Sequence, residues 1–249
     1  MSPRTNEHGQ PIGEPVDWQP CDPVRPVELP GRWCRVEPLA RHHLDALHHA
    51  LGSASPDTIW TYLAVGPFDG PAAMWDWLAG LHDDPGTVPH AICTPDGRAL
   101  GVASYLRLDH LNGSVEVGWI AYAAELQRTT AATEAMFLMA RHVFEDLGYR
   151  RYEWKCDALN EPSRRAAQRL GFTYEGTFRN ATVYKGRNRD TAWFSITDAE
   201  WVRLRPAYDA WLDPGNHDAD GRQRAPLATG TEPRSKMPVP DDGIAGTLS

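Results

Sequence analysis

Between Pro30 and Leu212 the apolar residues change period repeatedly, from two to about 3.6 and back, and that order limits the fold more than any other feature of the chain. Trp33–Leu39 alternates as a strand, and Leu44, Leu47, His48 and Leu51 then recur on one side of a helix. Pro71–Leu81, with Trp75 and Leu78 on one side, reads as a second helix. Val88–Cys93, Ala99–Leu108 and Gly113–Ala121 follow as three strands, separated by turns at Pro95-Asp96-Gly97 and Leu111-Asn112-Gly113. From Thr130 to Leu147 the stripe Ala132, Ala135, Met136, Met139, Val143, Phe144 and Leu147 predicts a long helix, which Gly148 ends. Arg150–Asp157 alternates again, with Tyr152, Trp154 and Cys156 on one face. Asn160 is placed to cap a short helix to Leu170, closed by Gly171. Thr173–Lys185 and Thr191–Thr197 form a last strand pair, and Asp198 is expected to cap a helix bearing Trp201, Leu204, Tyr208 and Trp211. A three-strand meander feeding a β-α-β-α-β-β unit predicts an α/β (α+β) enzyme fold with a mixed sheet and helices on both faces. It excludes a doubly wound nucleotide fold.

The flanks read differently. Residues 1–29 are rich in proline without an apolar period, which predicts an extended arm pinned by Trp18. Residues 213–249 repeat Asp, Gly and Pro and carry few large apolar side chains, which predicts a flexible tail. No internal repeat is present. An apolar content of 41% provides for one substantial domain, 30–212. A mean hydropathy of −0.50 and the lack of any apolar run near 18 residues argue against a membrane span. The polar start, Met1 to Gln10, lacks the apolar core of a secretory signal. A net charge of −8 gives the chain no electrostatic reason to bind nucleic acid or an anionic membrane. Its four cysteines form no C-x-x-C pair, so zinc and redox spacings are absent and a reduced cytoplasmic protein is expected, monomeric or homodimeric.

The chemistry concentrates where the strand ending Gly118-Trp119-Ile120 turns through Gln127-Arg128-Thr129-Thr130-Ala131-Ala132-Thr133 into a helix. Backbone N–H groups at a helix start are unpaired and lie at the positive end of the dipole, so they can hold a pyrophosphate. Small side chains let a phosphate reach that backbone, and Arg128 adds charge. Here the chain resembles the GNAT superfamily of N-acetyltransferases, whose acetyl-CoA signature is Gln/Arg-x-x-Gly-x-Gly/Ala. Gln127 and Ala132 fit its ends, while Thr130 replaces the central glycine. Thr133-Glu134-Ala135, Phe144-Glu145-x-Leu147-Gly148-Tyr149-Arg150, Asn160-x-x-Ser163, Arg169-Leu170-Gly171-Phe172, Glu175-Gly176-x-x-Arg179 and Asp190…Glu200-Trp201 then follow in the order of the Rim-type branch, the ribosomal-protein N-terminal acetyltransferases and their relatives.

That resemblance covers roughly 33–202. It implies a sheet splayed between the strands ending at Trp119-Ile120 and at Asp157, with the pantetheine arm of acetyl-CoA in the gap, paired with backbone at Trp119 and Ile120. Residues 127–133 and Asn160 would hold the co-substrate. An acceptor amine, from a protein N-terminus, an aminoacyl compound or a small molecule, would enter from the opposite side and attack the thioester directly. No metal is required.

Direct attack needs an unprotonated amine and a proton for the departing thiolate. Glu116 is the candidate base, because it interrupts a strand otherwise apolar at Val115, Val117 and Trp119. The competing account is an exposed-face carboxylate or a partner for an arginine, and Asp157 is the rival base. Ser163 is the candidate acid, by its place in the family pattern; Asn160 and Ser163 as ordinary helix-capping residues is the bland alternative. The tyrosine that many relatives place four residues before the helix-ending glycine is Ala167 here. Glu134 reads as structural. The pairs His42-His43 and His48-His49 lack an acidic or cysteine partner at ligand spacing and are expected in solvent. Trp60, Trp75 and Trp77 read as core rather than acceptor pocket. Lys185, Arg187 and Arg189 read as a solvated turn rather than a contact to the 3′-phosphate or to an acidic substrate. The absent glycine and tyrosine leave a second possibility, a degenerate domain that binds acyl-CoA without turnover.

Overall fold

The computed structural model describes residues 4–218 and 221–230. Eight strands make one mixed sheet: β1 (Leu29–Pro30), β2 (Arg35–Pro38), β3 (Thr87–Cys93), β4 (Ala99–Asp109), β5 (Ser114–Tyr122), β6 (Arg151–Asp157), β7 (Thr173–Tyr184) and β8 (Arg187–Thr197). Their spatial order is β1-β2-β3-β4-β5-β6-β8-β7. Neighbours run antiparallel except β5 and β6, which are parallel and therefore need a crossover. Helix α3 supplies it (Thr130–Arg141); the others are α1 (Leu44–His48), α2 (Pro71–Asp83), α4 (Glu161–Arg169) and α5 (Asp198–Leu212).

The order of elements is the one the periods predict, with the two-residue β1 and 3-10 turns at Arg41–His43 and Asp57–Trp60 added and three further local differences. The last strand begins at Arg187 rather than Thr191, because Arg187–Arg189 extends the hairpin by pairing with Thr182–Tyr184. The long helix ends its α geometry at Arg141 and finishes as a π turn, His142–Asp146, before Gly148 at φ +69°. Thr197, not Asp198, caps α5: its backbone N–H donates to Glu200 Oε2 at 2.8 Å and its hydroxyl accepts from the Glu200 N–H, a reciprocal capping box.

Strand alternation sorts the sheet into two faces. Tyr105, Val117, Trp154 and Phe194 are register neighbours on the face beneath α3, and the Tyr105 hydroxyl donates to the Met139 carbonyl at 2.9 Å. Leu106, Glu116, Glu153 and Ser195 are register neighbours on the other face, where α1 and α2 pack over β3 and β4. From β5 onward this face carries polar side chains, and Glu116, Glu153, Thr191 and Ser195 are buried on it.

The described parts of both flanking segments are fastened to the domain. Trp18 Nε1 donates to the Leu111 carbonyl at 2.7 Å, with its ring against Gly113 and beneath Arg150, so Trp18 pins the arm as expected. The expected flexible tail is corrected as far as residue 230. Pro214–Asn216 forms a 3-10 turn, and His217 lies buried against Trp33 and Trp211. Gln223 Oε1 accepts from Trp211 Nε1 at 2.8 Å, Asn216 bridges Trp211 and Ala225, and Leu227 is buried. Side-chain amides and aromatic edges do here what an apolar stripe does elsewhere. Residues 231–249 of the expected tail lie outside the described residues.

Candidate active site

β5 and β6 pair only from Ser114 to Val117 and from Arg151 to Trp154, although β5 continues to Tyr122 and β6 to Asp157. A register shift against β4 and Trp119 at φ +49° turn β5 away at this point. The strands splay, and a cleft of about 1700 Å³ opens between Gly118–Ile120 on one edge and Lys155–Asp157 on the other. The β5 edge there is backbone without a strand partner on that side, available to an extended ligand.

The loop 127–133 lines the same cleft. Gln127 Nε2 donates to the Tyr122 carbonyl at 2.9 Å, so its side chain fixes the loop rather than reaching into the cleft. Arg128 takes φ +62°, a left-handed conformation uncommon for a residue with a side chain. Thr129 caps α3: its hydroxyl accepts from Ala132 N–H at 3.1 Å and donates to the Leu126 carbonyl at 2.6 Å. The N–H groups of Arg128, Thr129, Thr130 and Ala131 have no acceptor among the described residues. Thr133 N–H reaches back to the Thr129 carbonyl and its hydroxyl takes Arg169 Nη1 at 3.1 Å. The turn is a cradle of free donors at the positive end of a helix, with Arg128 and Arg169 beside it.

Glu116 is buried on the face opposite α3, and its Oε2 accepts from Lys155 Nζ at 2.8 Å. Its Oε1 has no hydrogen-bond partner among the described residues and lies against Gly118, where the cleft begins. Burial pushes the Glu116 carboxyl above its ordinary range against the opposing pull of Lys155. Lys155 Nζ also lies 2.9 Å from Glu153, which burial alone would raise but which Lys155 and Arg151 hold below its ordinary value. Asp157 is also buried, but each of its oxygens already accepts one bond: Oδ1 from Leu159 N–H and Oδ2 from the Tyr184 hydroxyl, both at 2.8 Å. Ser163 Oγ accepts from Trp154 Nε1 at 3.0 Å, and Asn160 Oδ1 caps α4 by accepting from Ser163 N–H. The Ser163 hydroxyl also reaches the Cys156 sulfur, a hydrogen bond that opposes the upward push of burial on that thiol. Trp119, Ile120, residues 127–133, Asn160, Ser163 and Glu116 therefore all line one cleft.

The sequence pattern of the "Acetyltransferase (GNAT) domain" family matches residues 34–173, more than half of the chain. The chain belongs to the GNAT acetyltransferase family. A crystal structure of a GCN5-related N-acetyltransferase from Brucella melitensis is similar at 41% identity and TM-score 0.82, over 85% of this chain and 96% of that one. A GNAT-family protein from Chromobacterium violaceum is similar at 37% identity and TM-score 0.72, over 78% of this chain and 99% of that one. The curated "Putative ribosomal N-acetyltransferase YdaF" of Bacillus subtilis is 32% identical over 107 residues, which span 43% of this chain and 57% of that protein. Acetyl-CoA is the co-substrate of the family, and the free donors before α3 and the unpaired β5 edge fit its phosphates and its pantetheine amides.

In this GNAT domain several side chains hold positions that sequence reasoning did not foresee. Lys155, the partner of Glu116, shares a face of β6 with Glu153, and only the β5–β6 register brings it to Glu116. Glu134 is structural as expected, through a specific role: its carboxylate accepts from the N–H groups of Arg32, Trp33 and Cys34 at 2.9, 2.6 and 2.8 Å. The expected exposure of the histidines is corrected at His43. It is buried, its Nδ1 accepts from Ala40 N–H, and its Nε2 lies 3.3 Å from Glu37. That tautomer carries its proton on Nε2, so the grouping of Glu37, His42 and His43 does not offer a metal the lone pair of His43. Trp60 is core, edge-on to Phe68 and Trp77, while Trp75 packs under Arg41. The solvated turn is corrected too: Lys185 and Arg187 donate to the carbonyls of Trp60 and Thr61 at 2.9 and 3.0 Å, tying the β7–β8 hairpin to the loop over the cleft.

Proposed function

We propose that the chain moves an acetyl group from acetyl-CoA to a primary amine by direct attack. The observation that carries this reading is the splayed β5–β6 cleft, with a phosphate cradle before α3 and the free Oε1 of Glu116 beside Gly118. The N–H groups of Arg128 to Ala131 hold the pyrophosphate, and the backbone at Trp119 and Ile120 pairs with the pantetheine arm. Asn160 orients the same arm from the start of α4.

Glu116 is the base. Lys155 occupies one carboxylate oxygen and favours the ionised form, while burial makes that form a stronger proton acceptor than a solvated glutamate. The amine gives its proton to Glu116 Oε1 as its lone pair forms the N–C bond to the thioester carbonyl. The C–S bond breaks, and Ser163 Oγ–H, oriented by the Trp154 N–H, protonates the sulfur and regains a proton from solvent. Asp157, with both oxygens engaged, orients Tyr184. The domain runs from 30 to 212, and its acceptor is a protein N-terminus, an aminoacyl compound or a small amine.

Thiol release from acetyl-CoA, measured against a panel of primary amines, tests the reading. Release that depends on an amine and vanishes in Thr130→Glu, which sets a negative charge in the phosphate cradle, supports it. Thr130→Gly is expected to keep or improve affinity. Acetyl-CoA binding without turnover on any amine would instead identify an acyl-CoA-binding module.

A further inference from the structure

Arg189 differs from the other cations around the acceptor side of the cleft. Lys155 is shared by Glu116 and Glu153, Arg107 lies 3.9 Å from Glu116, and Lys185 and Arg187 are spent on backbone carbonyls. Arg189 is half-buried and lines the cleft, yet its Nε alone is engaged, donating to Thr191 Oγ1 at 3.1 Å. Its two terminal nitrogens have no carboxylate or carbonyl partner among the described residues. Partly desolvating a guanidinium without an acceptor is unfavourable, so a fixed arginine of this kind is complete only when a ligand brings the anion.

The register places that anion. Along β8, Arg189, Thr191 and Trp193 share one face, with Thr191 opposite Asp157 and Trp193 opposite Lys155. Arg189 therefore stands just past the end of β6, on the face that carries Glu116, Lys155 and Asp157, about 7 Å along the strand from Asp157 and roughly 20 Å along it from the row of Glu116, Glu153 and Ser195. The phosphate cradle before α3 follows β5, on the far side of β6 from β8, and has Arg128 as its own cation. The Nε bond to Thr191 and the ties from Lys185 and Arg187 to the Trp60–Thr61 backbone hold the guanidinium in place.

We infer that the acceptor is an amine carrying a carboxylate at the far end of a chain of several bonds, as in an ω-amino acid, and that Arg189 binds this carboxylate while the amine faces Glu116. The inference rests on the acetyl-transfer reading and narrows its acceptor. A bidentate guanidinium–carboxylate pair fixes both position and orientation, which aims the nitrogen at the thioester.

The test compares ω-amino acids of increasing chain length with their carboxamides, their decarboxylated amines and aminoalkyl phosphates, in the full chain and in Arg189→Ala and Arg189→Lys. Wild type is expected to favour the carboxylates by roughly 30-fold or more in kcat/KM. Arg189→Ala should raise KM for them about 10²-fold while leaving the carboxamides and the KM for acetyl-CoA unchanged. Arg189→Lys, charged but without the fork, should recover part of the loss. Equal losses for carboxylates and carboxamides, a wild-type preference for carboxamides, or a preference for the phosphates overturns the assignment. No turnover with any amine would sink the acetyl-transfer reading itself. Calorimetric titration of ω-amino acids into the CoA-bound protein, wild type against Arg189→Ala, then still reports on the anion site alone, and equal affinities would overturn it.

Discussion

The Lys155 ammonium lies 2.8 Å from one oxygen of Glu116, and both side chains are less than one-tenth exposed. A buried pair of this kind is poor evidence for stability, because desolvation offsets most of the attraction. Its consequence is chemical: one carboxylate oxygen is held and the other is left facing the cleft.

Glu116→Gln keeps the shape and removes the proton acceptor. Turnover should fall by roughly 10²-fold or more with acetyl-CoA affinity little changed, since base assistance is worth about 10²–10⁴. The residual rate should rise with pH as the amine deprotonates unaided. Loss in Asp157→Asn with an unaffected Glu116→Gln would hand the role to Asp157.

Lys155→Met removes the cation that opposes the effect of burial on Glu116. The Glu116 carboxyl then rises further, so the acid limb of the kcat/KM profile should move to higher pH. A profile that keeps its acid limb while losing only amplitude would show that Lys155 does not tune the base.

Glu134→Ala strands the N–H groups of Arg32, Trp33 and Cys34. Stability should fall by about 2–4 kcal/mol, read as a lower urea midpoint with an unchanged slope. Glu134→Gln should recover little, because an amide presents a donor where a second acceptor is needed.

His90 gives the fold an acid-sensitive group. Burial holds its imidazole down to about 4, with one ring nitrogen on the Val88 carbonyl. The native ring stays neutral while the unfolded one takes up a proton below about 6.5, so stability is full above that pH and declines as pH falls toward 4. The loss amounts to about 3 kcal/mol across the window. His90→Gln should flatten the dependence of unfolding free energy on pH between 4 and 6.5; an equally steep slope would remove His90 as its source.

Deleting residues 222–249 removes the Gln223 acceptor from Trp211 and uncovers the site of Leu227. The melting temperature should drop by several degrees, at about 2–4 °C per kcal/mol for a chain of this size. An unchanged value would mean that the segment contributes no net stability.

Legibility in the sequence followed the range of the interactions. Periodicity located the α-helices and seven of the eight strands, because alternation and the helical stripe are local properties, and Gly148 and Gly171 end their helices at φ +69° and +94° as expected; the two-residue β1 and the 3-10 turn Asp57–Trp60 are too short to show a period. The cradle from Gln127 to Thr133 was equally visible, being one contiguous loop. What stayed hidden depends on register. The contact of Glu116 with Lys155 spans 39 residues, and that of Glu134 with Trp33 spans 101. Arg189 looked like part of a solvated turn because its own stretch is polar; its place over the cleft comes from β8 pairing with β6. The tail misled for a different reason: its hold on the domain comes from Gln223 and Asn216, residues that composition counts toward disorder.

The parallel junction between β5 and β6 also has a mechanical meaning. It is the seam between a five-strand half-sheet and a three-strand half-sheet, and its ladder ends at Val117 and Trp154. Along this line the molecule is only part-stitched, with the opening wedge at one end. A ligand that bonds the β5 edge and also rests on α4 acts as a rivet across the two halves, joining them where the backbone does not. Stiffness of the whole sheet therefore becomes a function of occupancy, and the empty protein should yield first along this line.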